Sequence, residues 1–128
     1  MRNSRFDADV YHFLLEQIDT IPQIEALLLL WDTRPKAWSI PELSERLYID
    51  EGSVHSVVSP LAKRQLVVNK PGGCYAYHAR GEVADRLMEA VAKAYRQNLV
   101  AATVLIHDKA SPAVREFARA FVLKKEPE

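Results

Sequence analysis

The stretch that most constrains this chain is residues 43–67, LSERLYIDEGSVHSVVSPLAKRQLV. Leu43 and Leu47 share one face of a short helix, which gives way to a turn at Tyr48-Ile49-Asp50. A second helix is predicted over 51–64, because Val54, Val57, Val58 and Leu61 recur at helical spacing and form one apolar stripe. The other face carries Gly52, His55, Ser56, Ser59 and Lys63, small or polar residues able to approach another molecule. Two striped helices joined by so short a turn have to bury their apolar faces together.

Directly after them come two strand-like runs, Val67-Val68-Asn69-Lys70 and Cys74-Tyr75-Ala76-Tyr77-His78, separated by Pro71-Gly72-Gly73. That tripeptide is a turn and not a phosphate loop, since no Lys-Ser/Thr and no helix start follow it. Helix, turn, helix, hairpin is the order of a winged helix-turn-helix. The stretch resembles the winged-helix DNA-binding module of MarR-type transcriptional regulators. Leu43-Ser44-Glu45-Arg46-Leu47 stands where that family has its first motif helix. Ile49 matches the buried turn residue, Asp50 the N-cap, and Val54, Leu61 and Leu66 the later core positions. Three residues depart from the family pattern. Tyr48 fills the turn position that is most often glycine, Asp50-Glu51 puts acid at the helix start, and Pro60 lies inside the helix, where it should kink or interrupt it.

The flanking residues read as helices. Asp7 is a plausible N-cap for a first helix over 7–18, striped by Val10, Phe13, Leu14 and Ile18. Thr20-Ile21-Pro22-Gln23 is a capping-box pattern that starts a helix apolar on nearly every side, through Ile24, Leu27, Leu28 and Trp31, ending near Arg34. Residues 36–39 are short and extended, where winged helices carry a small first strand, and Ser39-Ile40-Pro41-Glu42 repeats the capping pattern. Residues 81–107 contain neither proline nor an internal glycine and predict one long helix. Along it Ala84, Met88, Val91, Tyr95, Asn98, Ala102 and Leu105 step by four and three, a heptad-like seam. A helix near 40 Å, at about 1.5 Å per residue, exceeds what the module needs to cover. Residues 108–110 are expected to break it, and Ser111-Pro112 to start a last helix striped by Val114, Phe117, Ala118 and Phe121. The expected fold is therefore mainly α with a small β-hairpin wing. It is one domain over 1–128, with a winged-helix module at 21–80 and flanking helices at 5–19 and 81–122.

The resemblance implies a homodimer that binds duplex DNA and regulates transcription, dimerising through its terminal helices. The residues assigned to that interface are Met88, Val91, Tyr95, Asn98, Ala102, Leu105, Phe117 and Phe121, with Asn98 either pairing with its symmetry mate to fix register or standing as a partly exposed asparagine. On the DNA side, Ser53, His55, Ser56 and Ser59 would stand nearest the base edges. Lys36, Lys63, Arg64, Lys70 and Arg80 would meet phosphates. Formal net charge is zero, but residues 34–80 hold seven Lys or Arg against four Asp or Glu, so the module carries +3 and the rest of the chain −3. Serine and histidine discriminate bases less sharply than a bidentate arginine, so base readout should lean on shape and phosphate contacts.

No catalytic constellation is present in the sequence, and no cofactor is implied. His12, His55, His78 and His107 fall on different predicted elements without metal-ligand spacing. The single cysteine, Cys74, excludes an internal disulfide and reads as a small strand residue, with redox sensing the sharper alternative. The longest apolar run, residues 26–31, is too short to cross a bilayer, and residues 2–5 do not open a signal peptide, so a cytoplasmic address is expected. The rival reading is a protein–protein interaction module that kept the winged helix and lost DNA, favoured by neutral charge and by Asp50-Glu51. The resemblance also implies a small-molecule effector between dimer helices and module.

Overall fold

The computed structural model describes residues 6–110. Eight elements follow one another: α1 (Ala8–Gln17), α2 (Ile21–Asp32), α3 (Ile40–Leu47), α4 (Glu51–Lys63), β1 (Val67–Lys70), β2 (Cys74–Tyr77), α5 (Glu82–Gln97) and α6 (Leu99–Ala110). The fold is mainly helical with one antiparallel hairpin, in register from Val67 opposite Tyr77 to Lys70 opposite Cys74. Trp38 adds one bridge at the hairpin's edge, its backbone N–H and C=O both paired with Tyr75 at 2.8 Å. The extended segment expected at 36–39 is that bridge.

Capping chemistry sets the helix starts. Asp7 accepts from the Val10 N–H, and Thr20 Oγ1 from the Gln23 N–H. At α3 the box is complete: Ser39 Oγ accepts from the Glu42 N–H, and Glu42 accepts in return from the Ser39 N–H at 2.9 Å. At α2 the return bond differs from expectation, because the buried Gln23 amide oxygen accepts from the Asp19 N–H and not from Thr20. It satisfies a backbone donor one residue outside the helix.

The central helix is α2, whose residues from Ala26 to Trp31 are all buried. Around it pack α3, α4, β2 and α6. The Trp31 ring meets the Tyr77 ring edge-on at 5.0 Å, which fixes the hairpin to α2. The Tyr77 hydroxyl in turn donates to Asp85 at 2.7 Å, tying the hairpin to α5. On α4 the buried residues are Val54, Val57, Val58 and Leu61, the stripe read from the sequence. Pro60 does not interrupt α4, which runs on to Lys63 with Arg64 as C-cap. A proline this close to the end removes only the bond to the Ser56 carbonyl, and Ser56 is exposed to water.

The long helix expected over 81–107 is two helices. Asn98 leaves helical geometry (φ −130°, ψ 50°), and its side-chain amide donates to the Ala94 carbonyl, a local bond that competes with helix continuation. The chain re-enters a helix at Leu99 and does not break at 108–110, since α6 reaches Ala110. Both α5 and α6 pack on α1. The heptad-like seam is consequently covered within one chain: Met88, Val91, Tyr95 and Ala102 are buried, facing the core that Val10, Phe13 and Leu14 supply. The periodicity reported a buried face correctly, and within the chain that face meets α1 and, at Tyr95, Glu25 of α2. Asn98 is a helix terminator here. Leu105 is half-buried, while Phe117 and Phe121 lie outside the described residues.

Candidate nucleic-acid interface

The turn between α3 and α4 is built on Tyr48, which adopts the left-handed conformation (φ 61°, ψ 41°). That conformation normally costs a non-glycine residue about 1 kcal/mol or more. It lets the Ile49 N–H reach back to the Ser44 carbonyl, and the Ser44 hydroxyl donate to the Ile49 carbonyl. The chain is thereby turned into the start of α4 at Asp50. Asp50 makes no side-chain cap bond; its carboxylate accepts from the Ser53 hydroxyl instead. That bond holds the Asp50 carboxyl below the usual carboxylate range, so the helix start stays negative near neutral pH.

Beyond that acidic start, His55, Ser56, Ser59 and Lys63 are exposed along one side of α4. Ser53 is half-buried and occupied by Asp50, which withdraws it from the set expected at base edges. Lys70 is exposed where β1 ends, beside a turn that Gly72 (φ 92°) and Gly73 (φ 79°) make possible and that the Gly73 N–H closes onto the Lys70 carbonyl. β1 packs against α4, so the helix and the hairpin are neighbours. Lys36 is exposed, with its ammonium 4.7 Å from the centroid of the Trp38 ring. Arg80 is exposed beyond β2, close enough to the Tyr77 phenol to oppose the upward push that burial and Asp85 give that group.

Arg64 stands apart from these cations. Its guanidinium donates to the Gln17 backbone carbonyl at 2.6 Å and to the Asp19 carboxylate at 2.8 Å, groups 45 or more positions earlier on the chain that the fold brings against it. The charge is paired and half-buried. Arg64 is therefore a cross-tie between α4 and the α1–α2 junction, and the phosphate role expected for it is not the one its geometry serves. Local pattern gave no sign of this pairing, because Asp19 lies far away in sequence.

Two further features escaped the sequence reading. Tyr95, assigned to a dimer seam, donates its hydroxyl to Glu25 at 2.6 Å, and burial with that carboxylate pushes its phenol well above the ordinary value. Next to it Arg96 pairs with Asp32. These contacts line a cleft of about 190 Å³ among α2, α3 and α5, together with Leu28, Leu29, Arg46 and Leu47. Among the described residues α6 leaves three apolar side chains uncovered, Leu99, Val100 and Val104, at 49%, 76% and 50% exposure.

Among the described residues no helix is long and apolar enough to cross a membrane. No protein-family model and no curated protein matches this sequence. Among solved structures the chain is similar to the crystal structure of RV1404 from Mycobacterium tuberculosis, at 18% identity and a TM-score of 0.49, covering 94% of this chain and 85% of that one. The functional reading rests on the residues themselves.

Proposed function

We propose that this chain is a winged helix-turn-helix protein that binds duplex DNA as a homodimer and regulates transcription. The observation that carries the reading is the pairing of α4's exposed polar side with a neighbouring glycine-turned hairpin that ends in Lys70. A helix of this kind enters the major groove, and a hairpin beside it reaches the flanking backbone. His55, Ser56 and Ser59 then face base edges, while Lys63 and Lys70 take phosphates, with Lys36 and Arg80 as outer contacts. The mode is weakly basic, so affinity leans on phosphate contacts and on two-fold repetition. The dimer face in this proposal is the exposed Leu99, Val100 and Val104 side of α6, and not the seam that α1 covers.

Selection from a pool of random duplexes tests the reading. Enrichment of a pseudo-palindrome with half-sites about one helical turn apart is the expected result. Failure to enrich any sequence over the starting pool at low salt would count against it.

A protein-interaction role for the same fold is favoured by one specific feature, the acidic surface that begins at α3 and runs into Asp50 and Glu51.

A further inference from the structure

Tyr48 is the most anomalous side chain among the described residues. It is 91% exposed, the largest exposure among the big apolar side chains described, and its backbone is left-handed. Folding gains nothing from an aromatic ring there: it buries almost no surface, and glycine would adopt φ 61° at no steric cost. A residue kept against local preference and left in water is a reason to look for what meets it.

The surroundings say what that is. Tyr48 and Trp38 both line an open cleft of about 310 Å³ on the outer side of α3, whose other walls are Glu42, Glu45 and Arg46. Asp50 and Glu51 follow immediately, both exposed. Four carboxylates against Arg46 and Lys36 leave the region around Tyr48 net negative. Two of these acids are held ionised: the Ser39 backbone N–H lowers Glu42, and the Ser53 hydroxyl lowers Asp50. The Trp38 ring already draws cations, with Lys36 at 4.7 Å and Arg46 at 5.9 Å from its centroid. Among the described residues no such cation is placed over Tyr48. An aromatic face bordered by acids attracts arginine or lysine through the ring quadrupole and through charge, and it repels phosphodiesters.

We propose that the Trp38–Tyr48 cleft docks a basic segment of a partner protein, seating an arginine or lysine over the Tyr48 ring beside Glu45. This surface is separate from Lys63 and Lys70, and the proposal stands whether or not α4 reads DNA. A transcription regulator with such a surface would hold DNA through one face and a basic protein segment through another.

The test is a titration of the isotope-labelled protein followed by NMR. The probes are a short peptide with two arginines, the same peptide with both replaced by glutamine, and a random DNA duplex. The arginine peptide should move the signals of Trp38, Glu45 and Tyr48, and the glutamine peptide should not. Tyr48→Gly should bind the arginine peptide about three- to tenfold more weakly, with its melting temperature kept, because glycine suits this backbone. Tyr48→Phe should retain binding, since the ring face remains, and Glu45→Gln should weaken it. Equal shifts with the glutamine peptide, unchanged affinity in Tyr48→Gly, or movement of the Glu45 and Tyr48 signals by DNA instead would each overturn the proposal. DNA contacts at Lys63 and Lys70 would move signals on α4 and the hairpin, and one at Lys36 would move Trp38, so Glu45 and Tyr48 keep the two readings distinguishable.

Discussion

Arg64 and Lys63 are adjacent in sequence and carry the same charge, yet the structure gives them different surroundings. Arg64 donates to the Gln17 carbonyl and to Asp19, whereas Lys63 is exposed with no ion pair formed among the described residues. Replacing Arg64 with alanine removes two hydrogen bonds, one charge-assisted, at a site where both side chains keep roughly a third of their surface. Each bond contributes about 1 kcal/mol net, and exposure trims the ionic one, so the loss should be about 1–2 kcal/mol. For a domain of this size that lowers the melting temperature by about 5 °C. Because Asp19 already neutralises Arg64, the variant should leave the salt dependence of duplex binding unchanged. Lys63→Ala should do the reverse: no change in melting, and a slope of log K against log salt shallower by about 0.9 for each protomer bound. Thermal melts and anisotropy titrations of both variants give all four numbers. If Arg64→Ala melts like the wild type and flattens the salt slope as Lys63→Ala does, the cross-tie reasoning is wrong.

Other consequences follow from the same contacts. Burial and the Asp85 carboxylate push the Tyr77 phenol up to about 12, and Tyr95 is raised as well by burial and Glu25. Both phenols hold their protons more tightly folded than unfolded, so the stability they contribute is full below pH 10 and should fall as pH rises through 10 toward 12. Tyr77→Phe should lose about 1 kcal/mol at neutral pH and show a smaller alkaline decline, measured by urea melts across that range. Ser39→Ala removes one half of the α3 capping box and should cost about 1 kcal/mol in the same assay. On α6, Val100→Asp and Val104→Asp should yield a monomer by sedimentation with melting little changed, because both side chains are in water in the single chain. Met88→Ala should instead destabilise by about 3 kcal/mol, since it opens a cavity under α1, and an intact melting temperature would refute its place in the core.

Much of this fold was legible because its signals are local. The capping pairs at Thr20 and Ser39, the Val54–Leu61 stripe and the Pro-Gly-Gly turn each act over a few residues, and the helices and hairpin begin and end accordingly. Tyr48 at a position that favours glycine was visible too, and its left-handed backbone is the physical counterpart. What failed was the assignment of partners. A stripe such as Met88, Val91 and Tyr95 states that something covers it, and cannot distinguish a second subunit from α1. The Asn98 break was hidden because asparagine is tolerated in helices, and only the bond to Ala94 reveals its use as a terminator. Arg64 shows the same limit for charge. Counting it toward a basic surface ignored Asp19, which no spacing rule connects to it. On the candidate DNA side, the exposed identities were readable, but which were already engaged was not.

The central claim is contact with duplex DNA, and one titration bears on it most directly. The wild-type protein is titrated with a pool of random duplexes at about 50 mM and again at about 200 mM salt, since backbone binding is strongest when counterions are scarce. The account predicts clear binding at the lower salt that weakens by about two orders of magnitude or more at the higher, with four phosphate contacts in each protomer, from Lys36, Lys63, Lys70 and Arg80, contributing about −3.6 to the slope at about −0.9 per contact. Absence of binding at the lower salt would contradict it.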